Sequence, residues 1–209
     1  MAKELEALAA AYAPLLRTYS SGSTVYVDRS LLKEDCLIVS GHLLEVMQAE
    51  DERESSVLLL RAKDFFGPFS DHPENITHTT GRAFSNLTVL AFPDTRFSYY
   101  LRNDPALAEF FARSMGAMFN RLARKYCNLA TLSPSLRVID FLVRASLQKD
   151  NYVMHISTEE LAVALSTTRQ TVSKVLSVLR KRELITTSYM TIKVKDPLVL
   201  QSLYLKDRW

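Results

Sequence analysis

The sequence predicts an α+β protein of 209 residues, with an N-terminal antiparallel all-β unit that is a jelly-roll or a barrel, one long helix and a C-terminal helical unit ending in a β-hairpin. Three observations support this fold class. Glycines separate short apolar runs in the first 81 residues, which is typical of antiparallel strands and their turns. From residue 104 the apolar spacing becomes helical. Beyond residue 133 basic residues outnumber acidic ones.

The predicted all-β unit consists of short runs rich in β-branched and aromatic residues, which favour strands. Four of the five glycines lie among them, at Gly22, Gly41, Gly67 and Gly81. The runs cover residues 23–27, 36–39, 43–47, 56–60 and 87–92. A helix over residues 4–16 is expected to precede them.

The long helix is predicted over residues 104–132, a length of about 40 Å. Seven positions in it follow alternating steps of four and three, and six of the seven are apolar, as in a coiled-coil seam. The positions are Phe111, Met115, Met118, Leu122, Lys125, Leu129 and Leu132. We interpret this seam as the contact between two subunits, with Lys125 as the polar interruption that sets the register. The alternative is a core helix packed within its own chain.

A hinge is predicted at Ser133 and Pro134, which supply an N-cap and a proline at the first helical position. The helix that follows covers residues 135–147 and presents Val138, Phe141 and Leu142 on one face. A polar loop over residues 148–152 ends it.

The next segment has the pattern of two short crossing helices. Ser157 and Glu160 form a capping box, which opens the first helix. A break follows at residues 166–167, and a second helix begins at Thr168 with an apolar stripe over residues 172–179. Ala162 allows close contact between the helices, and Val172 lies ten residues further on. This spacing predicts a helix-turn-helix.

The exposed side chains of the second helix have the chemistry that reads DNA. Arg169 offers a fork to guanine O6 and N7, and Gln170 pairs in the same way with adenine N6 and N7. Short hydroxyls beside the backbone suit phosphate oxygens. The predicted DNA-binding residues are Thr168, Arg169, Gln170, Thr171, Ser173 and Lys174.

A β-hairpin wing is predicted from residues 185–187 and 190–194, joined around Ser188 and Tyr189. Residues 133–209 carry 12 lysines and arginines against 7 acidic residues, whereas the whole chain has a net charge of only +3. Positive charge concentrated at one end is expected of a nucleic-acid-binding unit. The alternative for this region is an amphipathic helix pair with solvated polar groups.

The segment Thr168-Arg169-Gln170-Thr171-Val172-Ser173-Lys174 closely resembles the start of the recognition helix in the Crp–Fnr superfamily. The segment 37–41, Leu-Ile-Val-Ser-Gly, is similar to the β-roll signature of that family, and residues 196–206 resemble the helical extension of Fnr-like members. The resemblance implies a cyclic-nucleotide-binding-like β-roll that senses an effector over residues 1–103, a dimerisation helix over 104–132 and a winged helix-turn-helix over 133–209.

The resemblance also implies a transcriptional regulator that binds a palindromic operator in double-stranded DNA as a homodimer. Such a protein contacts RNA polymerase when it activates transcription. We take Phe111, Met115, Met118, Leu122 and Leu129 as the dimerisation residues. The chain has no run of about 18 apolar residues that could span a membrane. Its first residues are acidic where a secretory signal would be basic and then apolar, so we expect a cytoplasmic protein.

The effector is a separate question, because the chain departs from the cyclic-nucleotide-binding members of the family. Pro68 stands where those members have the glutamate that binds the ribose, and Thr77 and His78 stand where an arginine followed by a serine or threonine holds the cyclic phosphate and ribose. Without that arginine a buried phosphate is costly, so cyclic AMP is not the expected effector. The candidate effector pocket consists of Gly67, Phe69, Thr77, His78, Arg82 and Leu122.

The effector and any cofactor are unknown from the sequence. Cys36 and Cys127 match no iron–sulfur or metal spacing. His72 and His78 could ligate haem or a metal ion, although a lone histidine is more often a surface residue. The phenylalanines at 65, 66, 69 and 84 could line an apolar pocket, although such density is more often core.

Two alternatives to an effector-controlled DNA-binding regulator follow from parts of the sequence. A cupin-like metal enzyme requires histidine and glutamate ligands that converge on one barrel mouth. The four histidines, at positions 42, 72, 78 and 155, are scattered along the sequence, so we expect no metal site and no enzyme. The other alternative keeps the helix-turn-helix but treats the β-roll as an interaction module without an effector.

Overall fold

Two four-stranded antiparallel sheets form the N-terminal part of the chain. The computed structural model describes residues 12–48, 54–69, 78–93, 96–147, 153–188 and 190–206, and they fall into two units, Met1–Ala123 and Arg124–Trp209. The strand orders of the two sheets are β1-β8-β3-β6 and β2-β7-β4-β5. The strands are β1 (Leu15–Tyr19), β2 (Thr24–Tyr26), β3 (Glu34–Ser40), β4 (His42–Gln48), β5 (Glu54–Arg61), β6 (Phe65–Phe66), β7 (Thr80–Ala83) and β8 (Leu87–Pro93).

The core of this unit has two layers, one on each face of the sheet that contains β3 and β8. Cys36 and Ile38 pack between the two sheets, whereas Leu37 faces the opposite side. On that side lie helix α1 (Arg96–Asn103) and the beginning of helix α2 (Pro105–Thr131), which contribute Phe97 and Leu107. A sheet that is covered on both faces needs apolar residues at consecutive positions. This explains the unbroken apolar runs that predict β3 and β8.

The turn between β3 and β4 requires a glycine. Gly41 has a φ of +84°, and a Cβ at this position would lie 2.1 Å from the carbonyl oxygen of Asn86. The close approach of the two backbones holds the hairpin against the start of β8.

The predicted opening helix is wrong at its C-terminal end. Leu15 and Leu16 begin strand β1 and pair with Ala91 and Leu90 of β8. Pro14 has no amide hydrogen to donate to a helix, and strand pairing supplies the backbone partners that the helix would have given. Residues 4–11 of that prediction lie outside the described residues. The sequence also gave no sign of the two short strands β6 and β7.

Helix α2 confirms the long helix predicted over residues 104–132. Its first turn is capped by Asp104, whose Oδ1 accepts from the amides of Ala106 at 2.8 Å and Leu107 at 3.2 Å. Tyr12 donates to the other carboxylate oxygen of Asp104. Desolvation, and to a lesser extent this hydrogen bond, raises the pKa of Tyr12 to about 12.

The second unit is mainly helical and carries a three-stranded antiparallel sheet of order β10-β11-β9. Ser133 caps its first helix by accepting from the Leu136 amide at 3.3 Å, with Pro134 at the first helical position as predicted. None of the helices in the described ranges has the length and apolar content needed to cross a membrane. The elements are α3 (Pro134–Leu147), β9 (Val153–His155), α4 (Thr158–Ala164), α5 (Arg169–Lys181), β10 (Ile185–Ser188), β11 (Thr191–Val194) and α6 (Pro197–Lys206).

Candidate nucleic-acid interface

Helix α4 opens with the predicted capping box. The Oγ of Ser157 accepts from the Glu160 amide at 3.1 Å, and the Ser157 amide donates to Glu160 Oε2 at 2.7 Å. Two amides at the helix start are therefore satisfied by two side chains that the sequence places three residues apart.

A sharp turn separates α4 from α5. Ser166 has a φ of +49°, its amide donates to the Val163 carbonyl at 3.0 Å, and the Thr167 amide donates to the Ala162 carbonyl at 2.9 Å. This is a Schellman motif, which ends one helix and redirects the chain. Ala162 and Val172 are buried, so the small alanine lies where α4 and α5 pack together. The structure thus confirms the predicted helix-turn-helix.

Helix α5 has one buried and one exposed face. Its buried stripe is the predicted one, Val172, Val175, Leu176 and Leu179. The side chains predicted to contact DNA lie on the other face, where all are exposed except the half-buried Thr171. They are Thr168, Arg169, Gln170, Thr171, Ser173 and Lys174.

Arg169 lies exposed in the first turn of α5. Its side chain is 73% exposed, and its Nε lies 3.9 Å from Glu159 Oε2 on α4. Because α5 has no acidic residue in its first turn, the positive end of the helix dipole adds to the charge of this arginine. The arrangement offers hydrogen-bond donors and positive potential to an anionic partner.

The wing follows α5 as predicted, with β10 and β11 paired so that Ser188 lies opposite Thr191. Tyr189, at its tip, lies outside the described residues. Thr186 is paired with Lys193 across the hairpin, and both side chains are exposed. Lys193 is a basic candidate contact that our reading of the sequence missed. The alternation of buried and exposed positions along β11 was the signal that could have found it.

The predicted dimer seam divides into two groups along α2. The ring of Phe111 lies 5.2 Å from the Phe65 ring and 5.2 Å from the Phe69 ring, and Met115 packs on the same cluster. Met118 packs against the core between the sheets. These three side chains are therefore half-buried within their own chain.

Other apolar side chains of α2 remain exposed in the single chain. Leu122 and Leu129, both predicted for the seam, are 42% and 41% exposed. Phe119 and Tyr126 are 69% and 75% exposed, and they continue the same stripe in steps of three, four and three. The predicted seam did not include Phe119 and Tyr126, because alternating steps of four and three residues from Phe111 lead to Met118 and Lys125 instead.

Lys125 itself is half-buried and belongs to the second unit. Desolvation, and to a lesser extent the nearby positive charge of Arg137, lowers the pKa of Lys125 to about 8. Desolvation also lowers the pKa of Arg137. Lys125 is thus an unfavourable site for a full positive charge.

Of the candidate effector pocket, the structure brings Gly67 and Phe69 together around Arg29, a residue our sequence reasoning missed. The Nε of Arg29 donates to the Gly67 carbonyl at 2.8 Å, and its guanidinium lies 5.2 Å from the centre of the Phe69 ring. The amide of Arg29 also donates to the Thr79 carbonyl, next to His78.

Arg29 belongs to a buried polar network inside the β-roll. Its Nη1 lies 3.3 Å from Glu45 Oε1, and Tyr26 donates to the same oxygen at 2.6 Å. Desolvation and the neighbouring carboxylate raise the pKa of Tyr26 well above its usual value. Glu45 is only 2% exposed, so its charge is stabilised by these two partners and not by water.

The remaining candidate pocket residues lie apart from this network. Arg82 is on the outer face of β7, because Gly81 and Ala83 take the buried positions, and it pairs with both carboxylate oxygens of Glu54. His78 is exposed and its Nδ1 lies 3.0 Å from Asp28 Oδ2, a contact that, together with two hydrogen bonds from Ser30, lowers the pKa of Asp28 to about 2. Leu122 lies on the exposed stripe of α2, and Thr77 lies outside the described residues.

Metal ligands do not cluster in the described ranges, where no three His, Cys, Asp or Glu side chains meet. Among the histidines, His42 and His78 are in separate places, His72 lies outside the described residues, and the side chain of His155 is not described.

Cys36 is buried in the core, where desolvation raises its pKa to about 12, whereas Cys127 is exposed on α2.

The fold and the exposed helix face define a class of protein, a β-roll joined through a long helix to a winged helix-turn-helix. Comparisons with known proteins agree with this class. Residues 136–203 match the Crp-like helix-turn-helix domain. A global nitrogen regulator from a Nostoc species is 23% identical over 203 residues, which are 91% of this chain and 89% of that protein.

Solved structures share the fold over nearly the whole chain. FixK2 from Bradyrhizobium japonicum has a TM-score of 0.78 at 16% identity and covers 91% of this chain and 96% of its own. A CooA variant from Carboxydothermus hydrogenoformans has a TM-score of 0.73 at 23% identity, with coverages of 91% and 88%. Residues 136–203 therefore form a Crp-like helix-turn-helix domain, and over nearly the whole chain the fold is that of solved CRP/FNR-family regulators.

Proposed function

We propose that the chain regulates transcription by binding a palindromic operator as a homodimer, with α5 in the major groove. The observation that carries this proposal is the exposed face of α5, where Arg169 and Gln170 project from the first turn while the opposite stripe is buried. In helix-turn-helix proteins the N-terminal residues of the second helix contact base edges.

The proposal gives each predicted DNA-binding residue a role. Arg169 donates to guanine, Gln170 pairs with adenine, and Lys174 and Ser173 extend the contact along the groove. Thr171 and Thr168 lie at the helix start, close to where a phosphate would approach. Lys193 on the wing adds a contact to the DNA backbone.

The dimer is proposed to form along α2, through the stripe that remains exposed in the single chain. That stripe consists of Phe119, Leu122, Tyr126 and Leu129. Exposed aromatic and aliphatic side chains in such a row mark an interaction surface. The position of α2 is proposed to be fixed by Phe111, Met115 and Met118, because these side chains pack the helix against the β-roll.

The β-roll is proposed to sense a signal other than cyclic AMP. Arg82 is already paired with Glu54, and Pro68 cannot supply a carboxylate for a ribose. The roles proposed for residues 1–103, 104–132 and 133–209 are sensing, dimerisation and DNA binding. Where the bound dimer activates transcription, it also contacts RNA polymerase.

Selection from a pool of randomised duplexes tests this function. We expect the purified protein to enrich an inverted repeat whose half-site centres are about 34 Å apart, one turn of DNA. Binding should weaken steeply with salt, because a dimer doubles the basic surface. Enrichment of no sequence, or of a single half-site without a repeat, would contradict the proposal.

A further inference from the structure

Glu159 is an acidic residue on α4 that faces the start of α5. Glu159 and Glu160 both lie in the first turn of α4, but only Glu160 takes part in the capping box. The carboxylate of Glu159 instead lies 3.9 Å from the Nε of Arg169. A negative charge thus lies beside the arginine that is proposed to read guanine.

Folding stability does not account for this ion pair. The side chains of Arg169 and Glu159 are 73% and 67% exposed, and exposed pairs contribute little to folding. The same carboxylate is unfavourable near DNA, because phosphates repel it. Glu159 therefore contributes little to the stability of the fold, and its charge opposes the general attraction of the protein to DNA.

The other acidic side chains described in this unit have different partners. Asp140 accepts from Asn128 and Arg144, and Asp196 caps the start of α6 by accepting from two backbone amides. Glu183 lies 3.9 Å from Lys195. Within the described part of this unit, Glu159 is therefore the acidic residue paired with the exposed start of α5.

We infer that Glu159 is a specificity-determining residue of the DNA interface, an inference that rests on the proposed function. By offsetting part of the charge of Arg169, it lowers the attraction of this arginine to any phosphate backbone. The contact uses Nε, so the two terminal Nη groups can still donate to guanine O6 and N7. Operator DNA then keeps the hydrogen bonds between Arg169 and guanine. DNA that lacks this guanine is bound less tightly, because the attraction of Arg169 to phosphates is reduced.

The test compares the dissociation constants of a selected operator and of a non-operator duplex of equal length, by fluorescence anisotropy at several salt concentrations. The specificity ratio is the dissociation constant of the non-operator duplex divided by that of the operator. Glu159→Gln should tighten non-operator binding and lower this ratio by about two- to fivefold, the effect expected from one exposed ion pair. Glu183→Gln is the matched control, since it removes the same charge from a pair of the same length. It should leave the ratio unchanged.

A second variant separates the pair from a general effect of charge. In an Arg169→Ala background, Glu159→Gln should no longer change the ratio, because its partner is absent. The inference is overturned if the ratio stays constant in Glu159→Gln, or if it falls equally in Glu183→Gln or in the Arg169→Ala background. If the natural protein does not distinguish the two duplexes at all, the proposed function is wrong and this inference falls with it.

Discussion

The side-chain oxygen of Thr168 accepts a hydrogen bond from the backbone amide of Thr171 at 3.1 Å, and their two hydroxyl oxygens lie 2.9 Å apart. Thr168 is the N-cap of α5, with extended backbone angles. Its bond fixes the first turn of the helix and with it the directions of Arg169 and Gln170. Thr168, which the sequence predicts to contact phosphate, therefore also caps and stabilises the start of α5.

Thr168→Ala should remove this cap and destabilise the protein by about 0.5–2 kcal/mol. Thr168→Ser keeps the hydroxyl and should preserve most of the stability. Urea denaturation followed by circular dichroism measures both variants. Equal midpoints for the alanine and serine variants would show that the cap is not needed.

Gln170→Glu should change the preferred half-site next to the guanine contact. In the family that this chain resembles, the nucleotide-responsive members carry glutamate at this position. Its carboxylate can accept a hydrogen bond from cytosine N4. Glutamine offers one acceptor and one amide donor, so it matches adenine best. A mismatch of this kind costs about 1–3 kcal/mol, enough to redirect selection. Selection with both proteins on the same randomised pool tests this, and an identical half-site at every position would exclude base reading by Gln170.

Leu122→Asp should produce a monomer, because it places an unpaired charge in the proposed seam of α2. Sedimentation should show the change, and cooperative binding to two half-sites should be lost. Asn120→Asp is the control, since it adds the same charge at an exposed position on the other side of the helix. A Leu122→Asp protein that stays dimeric would place the subunit contact elsewhere.

Lys125→Met should raise the urea midpoint at pH 7, and this gain should shrink as the pH rises. The pKa of Lys125 is lowered in the folded chain from 10.5 to about 8, so the unfolded chain binds its proton more tightly. Between pH 8 and 10.5 the unfolded state holds more protons, so this residue makes stability rise with pH across that window. The exposed Lys181→Met serves as control. A gain that stays constant from pH 7 to pH 10 would show that the charge of Lys125 is not penalised.

The sequence predicted the features that depend on neighbours along the chain. The Ser157–Glu160 capping box and the buried stripe of α5 each follow from spacings of three or four residues, which a helix converts directly into contacts. The wing and the long helix follow from equally local patterns. The candidate DNA-binding residues lie on elements of this kind.

Features that depend on distant residues were missed. Strand β1 exists because Leu15 and Leu16 pair with a strand some 75 residues away, whereas their local pattern is equally compatible with a helix. The Arg29–Glu45 network joins different strands and turns in the same way. On α2, two apolar stripes overlap, and only packing against the β-roll shows that Met118 faces inward while Phe119 faces out.

The affinity of Arg169→Ala for the selected operator tests the central claim most directly. Loss of the guanine contact should weaken operator binding by about 1–3 kcal/mol, whereas Arg182→Ala, at the C-cap of α5 about 20 Å away along the helix axis, should weaken it much less. Circular dichroism should show both variants folded, since both side chains are exposed. Operator binding that is unchanged in Arg169→Ala would contradict the assignment of α5 as the helix that reads DNA.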